Sequence, residues 1–201
     1  MRRYSRLFFV LALFGLAAAP AAAQELPLGT VLPMQDARVT LVDGSGKTIG
    51  ALTGTGGTLF IFWSNQCAWV DKYRSRVDEL HDAFGGRGVS FVAVNANDAS
   101  AFPQEAPAEG VQQHLAFDYF IDAGAGFANA IGATRQPHVF LFDKDRRLVY
   151  TGSIDDSPGD PANVQKRYLH DALTQMLGGQ PIGVAKTKAF GCTIRFPNPG
   201  G

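Results

Sequence analysis

Two nearly uninterrupted apolar runs lie in the middle of the chain, at residues 58–63 and 89–94. Such runs are typical of strands that are covered on both faces of a sheet. Between them, apolar residues recur at spacings of three and four, which predicts an amphipathic helix that ends at Gly85. The order strand, helix, strand predicts parallel neighbours joined by a right-handed crossover. The apolar face of this helix consists of Val70, Tyr73, Val77, Leu80 and Phe84.

Weaker patterns flank this unit. Residues 38–42 alternate between polar and apolar positions, which predicts a strand. A short helix is predicted near residues 109–115 and a short strand at 118–121. Asp122 is expected to cap a further helix that ends at Gly132.

The second half of the chain predicts a β-hairpin and a final helix. The hairpin strands are at residues 138–142 and 148–152, joined by a charged turn. The final helix is expected to open at Asp160, which precedes a proline, and to end at Gly178. A tail that contains proline and glycine follows from residue 180. These elements predict an α/β core that ends in an antiparallel hairpin and a helix.

The first 23 residues have the pattern of a secretory signal peptide. Three arginines precede an apolar segment, and small residues follow it. The apolar segment is shorter than the ~20 residues of a typical membrane span. We expect cleavage after Ala23, an exported protein in the periplasm, and no membrane insertion after cleavage.

The net charge bears on possible partners of the protein, and the number of cysteines limits its possible disulfides. The formal net charge is zero, from 18 basic and 18 acidic residues, and residues 1–23 carry three arginines and no acidic residue. The mature charge is then 15 − 18 = −3, so we expect no nucleic-acid partner. Only Cys67 and Cys192 are present. An oxidising compartment permits disulfides, and two cysteines allow one intramolecular pairing.

Four stretches of the sequence carry a resemblance to a known family. They are FWSNQCAWVDKY, VSFVAVNAND, ATRQPHVFLFDKDRRLVYTGSIDD and FGCTIRF, and the likeness extends over nearly the whole mature chain. In these stretches the protein resembles the thioredoxin superfamily, and more closely its redoxin branch, the group of alkyl hydroperoxide reductase and thiol-specific antioxidant.

The resemblance implies an α/β, thioredoxin-like three-layer fold with a central mixed sheet. It implies a redoxin domain at residues 24–196, with an N-terminal extension and a C-terminal extension from about residue 180. Residues 197–201 are expected to form a disordered tail. No organic cofactor is implied.

Cys67 is the main candidate for chemistry, because it follows a predicted strand at the start of a predicted helix. A helix N-terminus stabilises a thiolate. The family often has C-x-x-C here, whereas this chain has Ser64 three residues before Cys67. Ser64 resembles the hydroxyl residue of the peroxiredoxin T-x-x-C motif and is expected to cap the helix or to bond the sulfur. The alternative is a buried, unreactive cysteine.

The resemblance assigns roles to residues elsewhere in the chain. Pro137 corresponds to the family's cis-proline, which shapes the groove beside the reactive sulfur. Arg135 is the candidate for the arginine that peroxiredoxins place at the sulfur, and His138 is either a second such group or a structural side chain. Cys192 either resolves an intermediate on Cys67 or forms a permanent staple with it.

Three function classes remain open at this stage. The first is thiol-based redox chemistry, in which Cys67 attacks a disulfide of a partner protein or a peroxide. The second is a non-catalytic binding domain with a structural disulfide between the two cysteines. The third is metal handling, which has little support because no two histidines are spaced as i, i+4. We therefore expect no metal site.

Overall fold

The computed structural model describes residues 24–197, and the predicted signal peptide therefore lies outside the described residues. Among the described residues, no helix is both long and apolar enough to cross a membrane. The helices are α1 (Ala68–Phe84), α2 (Pro107–Val111), α3 (Gly126–Ile131) and α4 (Tyr168–Leu177). The strands are β1 (Arg38–Thr40), β2 (Gly46–Thr48), β3 (Gly57–Phe62), β4 (Val89–Asn95), β5 (Asp118–Ile121), β6 (Arg135–Gln136), β7 (His138–Phe142), β8 (Leu148–Gly152) and β9 (Cys192–Thr193).

The central sheet has five strands in the order β5-β4-β3-β7-β8. Strands β3, β4 and β5 are parallel, and β7 and β8 form an antiparallel hairpin beside β3. At the end of β3, Phe62 pairs with Val94 on one side and with His138 on the other. The predicted α/β fold with a central mixed sheet is confirmed, including the β-α-β unit and the hairpin.

Alternation along β3 divides the core into two layers. Leu59 and Ile61 face one side, where they pack with α1 and α4. Phe60 and Phe62 face the other side, where they pack with α3 and the segment before β3. These four side chains are fully buried, and each contributes about 1.5–3 kcal/mol through burial. This three-layer arrangement explains why β3 is apolar from Leu59 to Phe62.

The final helix starts later than the sequence predicts, at Tyr168 rather than at Asp160. Residues 161–163 form one 3-10 turn, whose first free N–H donates to the Asp160 carboxylate. Next along the chain, the Asp156 carboxylate accepts two backbone N–H groups from residues 165 and 166. These side-chain acceptors satisfy the backbone without a helix, so the helical pattern begins only when the chain reaches the core.

Two shorter predictions need smaller corrections. The strand predicted at 38–42 ends at Thr40, because the backbone of Leu41 closes the turn with Gly44 and Ser45. The helix predicted near 109–115 is α2, which starts at Pro107, where proline costs no hydrogen bond.

The segment after α4 is tied to the core at two strands. Thr151 of β8 exchanges backbone hydrogen bonds with Ala185 and Thr187. Further on, β9 pairs antiparallel with β6, so that Cys192 is opposite Gln136. The C-terminal extension is therefore an ordered part of the fold as far as residue 197, and residues 198–201 of the expected disordered tail lie outside the described residues.

Candidate active site

Cys67 and Cys192 form a disulfide between α1 and β9, with a Cα–Cα distance of 6.2 Å across 125 residues of sequence. Cys67 is the residue that precedes the first turn of α1. It lies in the loop that leaves the carboxyl end of β3, the edge of a parallel sheet where α/β proteins place their sites. The structure thus brings together the two sulfurs whose proximity the sequence left open.

Pro137 lies at the same place. The Gln136–Pro137 peptide bond is cis, and the Gln136 carbonyl oxygen lies 3.3 Å from Cys67 Sγ. Gln136 also pairs with Cys192 across β6 and β9, so both cysteines lie next to the residue that precedes the proline. The structure therefore places Pro137 beside the disulfide.

A buried carboxylate, that of Glu105, organises the turn between β3 and α1. Ser64 Oγ donates to its Oε1 at 2.6 Å, and the backbone N–H of Asn65 donates to its Oε2 at 2.9 Å. Asn95 Nδ2 donates to Oε2 at 2.8 Å, and Tyr119 completes the network with a hydrogen bond to Asn65. Ser64 is thus bonded to a carboxylate, and its own oxygen accepts the next free N–H of the turn.

A second polar network joins β4 to the C-terminal extension. The side chains of Asn97 and Gln136 exchange two hydrogen bonds of 2.9 and 3.2 Å. Asn97 Oδ1 also accepts the backbone N–H of Arg195 at 2.9 Å. These contacts fix the chain just beyond Cys192 independently of the disulfide.

A cavity of about 280 Å³ opens beside the disulfide. The arginine on the wall of this cavity is Arg195. The central carbon of its guanidinium lies 4.4 Å from the centre of the Phe102 ring. Arg135, the arginine expected at the sulfur, is absent from the cavity wall; its exposed side chain donates to Thr193 Oγ1 at 2.7 Å. The wall consists of Ser64, Gln66, Cys67, Glu105, Gln136, Cys192, Thr193 and Arg195.

His138 lies away from this cavity and takes part in a different cluster. It is 3% exposed, and its Nε2 is 3.1 Å from Thr151 Oγ1 and 3.6 Å from Glu25 Oε1. Glu25 also pairs with Lys186 at 2.7 Å. Among residues 24–197, no group of three His, Cys, Asp or Glu side chains is placed to hold a metal ion.

Sequence reasoning missed Glu105, Asn97 and Arg195. Asn95 ends the buried parallel strand β4 and Asn97 follows it, and polar residues at that edge of a sheet are a usable signal for a site. Glu105 lies between two prolines with no apolar repeat, so no local pattern separates it from a solvated side chain. Arg195 is brought to the cavity by the pairing of β9, which only the tertiary structure defines.

Comparison with curated proteins identifies several relatives with one name. The chain is 26% identical over 127 residues to thiol-disulfide oxidoreductase ResA of Bacillus thuringiensis subsp. konkukian. The match covers 63% of this chain and 66% of the relative, so it spans just under two thirds of the relative's length.

Two solved structures have closely similar folds over most of their length. A hypothetical protein from Sinorhizobium meliloti is 32% identical, with a TM-score of 0.78 over 87% of this chain and 97% of that one. An uncharacterized conserved protein from Geobacillus kaustophilus is 30% identical, with the same TM-score over 86% and 93% of the two chains. Neither name states an activity.

The family comparison covers most of the fold described above. The Redoxin family model matches residues 25–167, which include β3, α1, the cis-proline and the hairpin. The chain therefore belongs to the Redoxin family.

Proposed function

We propose that this protein is an exported thiol–disulfide oxidoreductase. In this proposal, Cys67 and Cys192 form a redox couple that exchanges electrons with the thiols or disulfides of a partner protein. The observation that carries the proposal is the disulfide between the start of α1 and β9, beside Pro137. The name of the relatives, thiol-disulfide oxidoreductase, supports the same reaction class.

Three features favour exchange with a disulfide over reduction of a peroxide. A peroxide must reach the thiolate of Cys67, which is only 3% exposed. The Ser64 hydroxyl donates to Glu105 and is therefore engaged elsewhere. Arg135 is likewise engaged with Thr193, away from the cavity.

Other features favour a redox couple over a permanent brace. Cys192 is partly exposed and lines an open cavity, so a partner thiol can reach the disulfide. The extension is also held by hydrogen bonds of Thr187 and Arg195 that do not depend on the sulfurs. Opening the disulfide therefore leaves the fold with other ties, as repeated oxidation and reduction require.

The reduction potential of the pair tests this choice. The mature protein is equilibrated in glutathione and dithiothreitol buffers, and the disulfide content is read by alkylation and mass. We expect a potential above about −300 mV, because exchange catalysts lie between about −120 and −270 mV. A potential below about −300 mV, with loss of near-UV circular dichroism on reduction, would assign the bond to a brace.

Turnover separates the two redox alternatives. The protein is assayed for reduction of insulin disulfides by dithiothreitol and for consumption of hydrogen peroxide. We expect disulfide reduction that is lost in Cys67→Ser and in Cys192→Ser, with Glu109→Ala on exposed α2 as the unaffected control. Rapid peroxide consumption without disulfide reduction would favour a thiol peroxidase instead.

Export is part of the proposal and has its own test. The full chain is expressed in a bacterium, the cells are fractionated, and the recovered protein is sequenced from its N-terminus. We expect periplasmic protein that begins at Gln24. Recovery in the cytosol with an intact N-terminus would reject this part of the proposal and leave the chemistry untouched.

A further inference from the structure

The two cysteines of the disulfide are not equally exposed. Cys67 is 3% exposed and belongs to the apolar cluster between the sheet and α1, whereas Cys192 is partly exposed at the edge of that cluster. Thiol–disulfide exchange requires a partner sulfur to reach one of the two sulfurs in line with the S–S bond, which favours the cysteine with greater access.

We infer that Cys192 is the sulfur that forms the mixed disulfide with the partner, and that Cys67 is the buried sulfur that resolves it. This assignment rests on the proposed function and reverses the order expected from the sequence, in which Cys67 attacks. It makes a residue of the C-terminal extension the entry point of the reaction.

The contacts around Cys192 fit this role. Upstream, Thr187 hydrogen-bonds Tyr150 and Ser153, and downstream Ile194 is buried while Arg195 is bonded to Asn97. The chain is therefore anchored on both sides of Cys192, within a few residues. When Cys192 separates from Cys67, its sulfur stays near, and this high effective concentration speeds the closing step.

The reaction balances in two exchange steps. In the reduced protein, the Cys192 thiol loses its proton and attacks a disulfide of the partner; that S–S bond breaks, and the first partner sulfur leaves and takes up a proton. Cys67 then attacks the Cys192 sulfur, forms the Cys67–Cys192 bond and displaces the second partner sulfur, which takes the proton that Cys67 gives up. The partner disulfide gains two electrons, and a donor dithiol reverses both steps.

The cavity beside the disulfide gives the partner its access. The side chains of Gln66, Thr193 and Arg195 on its wall are exposed, whereas Ser64 and Glu105 on the same wall are each 2% exposed. In this cavity Cys192 is the more exposed of the two cysteines, because Cys67 is only 3% exposed.

Pulse alkylation of the reduced, native protein tests the order without any substitution. Reduced protein is exposed to a limited amount of iodoacetamide for increasing times, and the two cysteine peptides are quantified by mass spectrometry. We expect Cys192 to be alkylated about tenfold faster than Cys67, because the burial of Cys67 limits reagent access more than its position at the start of α1 favours its thiolate. Equal rates, or faster reaction of Cys67, would overturn the assignment.

Trapping with single-cysteine variants gives a second readout. Cys67→Ser retains Cys192 and is expected to accumulate a mixed disulfide with glutathione disulfide. Cys192→Ser retains only the buried thiol and is expected to form about tenfold less in the same time. The reverse pattern, with both variants folded by circular dichroism, would overturn the assignment.

The failure of this inference is distinguishable from failure of the proposed function. Loss of disulfide turnover in the native protein would reject the proposed function, whatever the alkylation order. Normal turnover with Cys67 alkylated first would keep the function and reject only the assigned roles.

Discussion

Ser64 Oγ donates a 2.6 Å hydrogen bond to Glu105 Oε1, and each of the two side chains is only 2% exposed. The same carboxylate accepts donors from Asn65 and Asn95. A buried charge is tolerated only when its oxygens are hydrogen-bonded, as they are here. Glu105 therefore links the turn before α1, which carries Cys67, to the end of β4.

Replacing Glu105 is expected to destabilise the protein. Glu105→Ala removes the acceptor of three buried donors, and we expect a loss of about 2–4 kcal/mol in the free energy of unfolding. Glu105→Gln keeps one carbonyl oxygen and is expected to lose less. Urea denaturation of the oxidised protein measures both.

The matched control is Glu109→Ala, which removes an exposed carboxylate on α2. A surface change of this kind is expected to stay within about 0.5 kcal/mol. If Glu105→Ala behaves like the control, the carboxylate does not hold the turn.

Gly191, just before Cys192, is expected to resist substitution. Its φ of +147° is rarely adopted by residues with a side chain, and an added Cβ would overlap the Gln136 carbonyl oxygen. Gly191→Ala must therefore move β9 away from β6, at a cost of about 1–3 kcal/mol. We expect faster hydrogen exchange at the Ile194 amide, which is bonded to Thr134 in the native fold.

The control for this change is Gly179→Ala. Gly179 also has a positive φ, of +66°, but an added Cβ there meets no atom within 4 Å. It therefore carries the backbone strain without the collision. Unchanged exchange at Ile194 in both variants would show that β9 tolerates a side chain at Gly191.

The elements that can be predicted from the sequence are those whose pattern is local. The apolar run of β3 and the spacing in α1 each follow from one rule of burial, and the resemblance placed Cys67 between them. The late start of α4 could not be predicted, because the Asp156 and Asp160 side chains satisfy the backbone before the helix begins.

Only part of the candidate site could be predicted, because some of its residues are marked by a local sequence pattern and others are brought there by the tertiary structure. Cys67 and Pro137 are marked by their positions in the motifs. Glu105 is defined instead by donors that come from Ser64 and Asn95, one on each of two neighbouring strand ends. Arg195, and not Arg135, lines the cavity because of the register in which β6 and β9 pair. No local sequence pattern encodes that register.

Reduction of the disulfide is expected to lower stability without loss of the fold. Cys67 and Cys192 are 125 residues apart, and a cross-link of this span contributes about 4–5 kcal/mol in the chain-entropy model. Guanidinium denaturation of oxidised and reduced native protein measures the difference with no substitution. A reduced protein that is unfolded in buffer would contradict the independent anchoring of the extension by Thr187 and Arg195.

The last prediction concerns the contribution of the Glu25 carboxylate to stability at low pH. Beside Glu25, the His138 imidazole and then the Lys186 ammonium and Thr151 hydroxyl lower the pKa of the carboxyl from 4.5 to about 2, against the opposing effect of burial. Because the pKa is lower in the folded state than in the unfolded chain, the contribution is complete above about pH 4.5 and is lost as pH falls through about 2. This cluster joins the start of the described chain to β7, β8 and the C-terminal extension.

We expect Glu25→Gln to be less stable than the native protein at neutral pH. The carboxylate is 26% exposed, so the loss after solvent screening is about 1 kcal/mol, or about 2–4 °C in Tm. The difference in Tm is expected to shrink as pH falls below about 4.5. In that range the Glu25 carboxylate of the native sequence binds a proton in the unfolded chain but not in the folded protein, which favours unfolding. Thermal unfolding from neutral pH to about pH 3 measures it, with Glu109→Gln as the control. A difference that stays constant over this range would show that Glu25 stabilises the fold by packing and not by its charge.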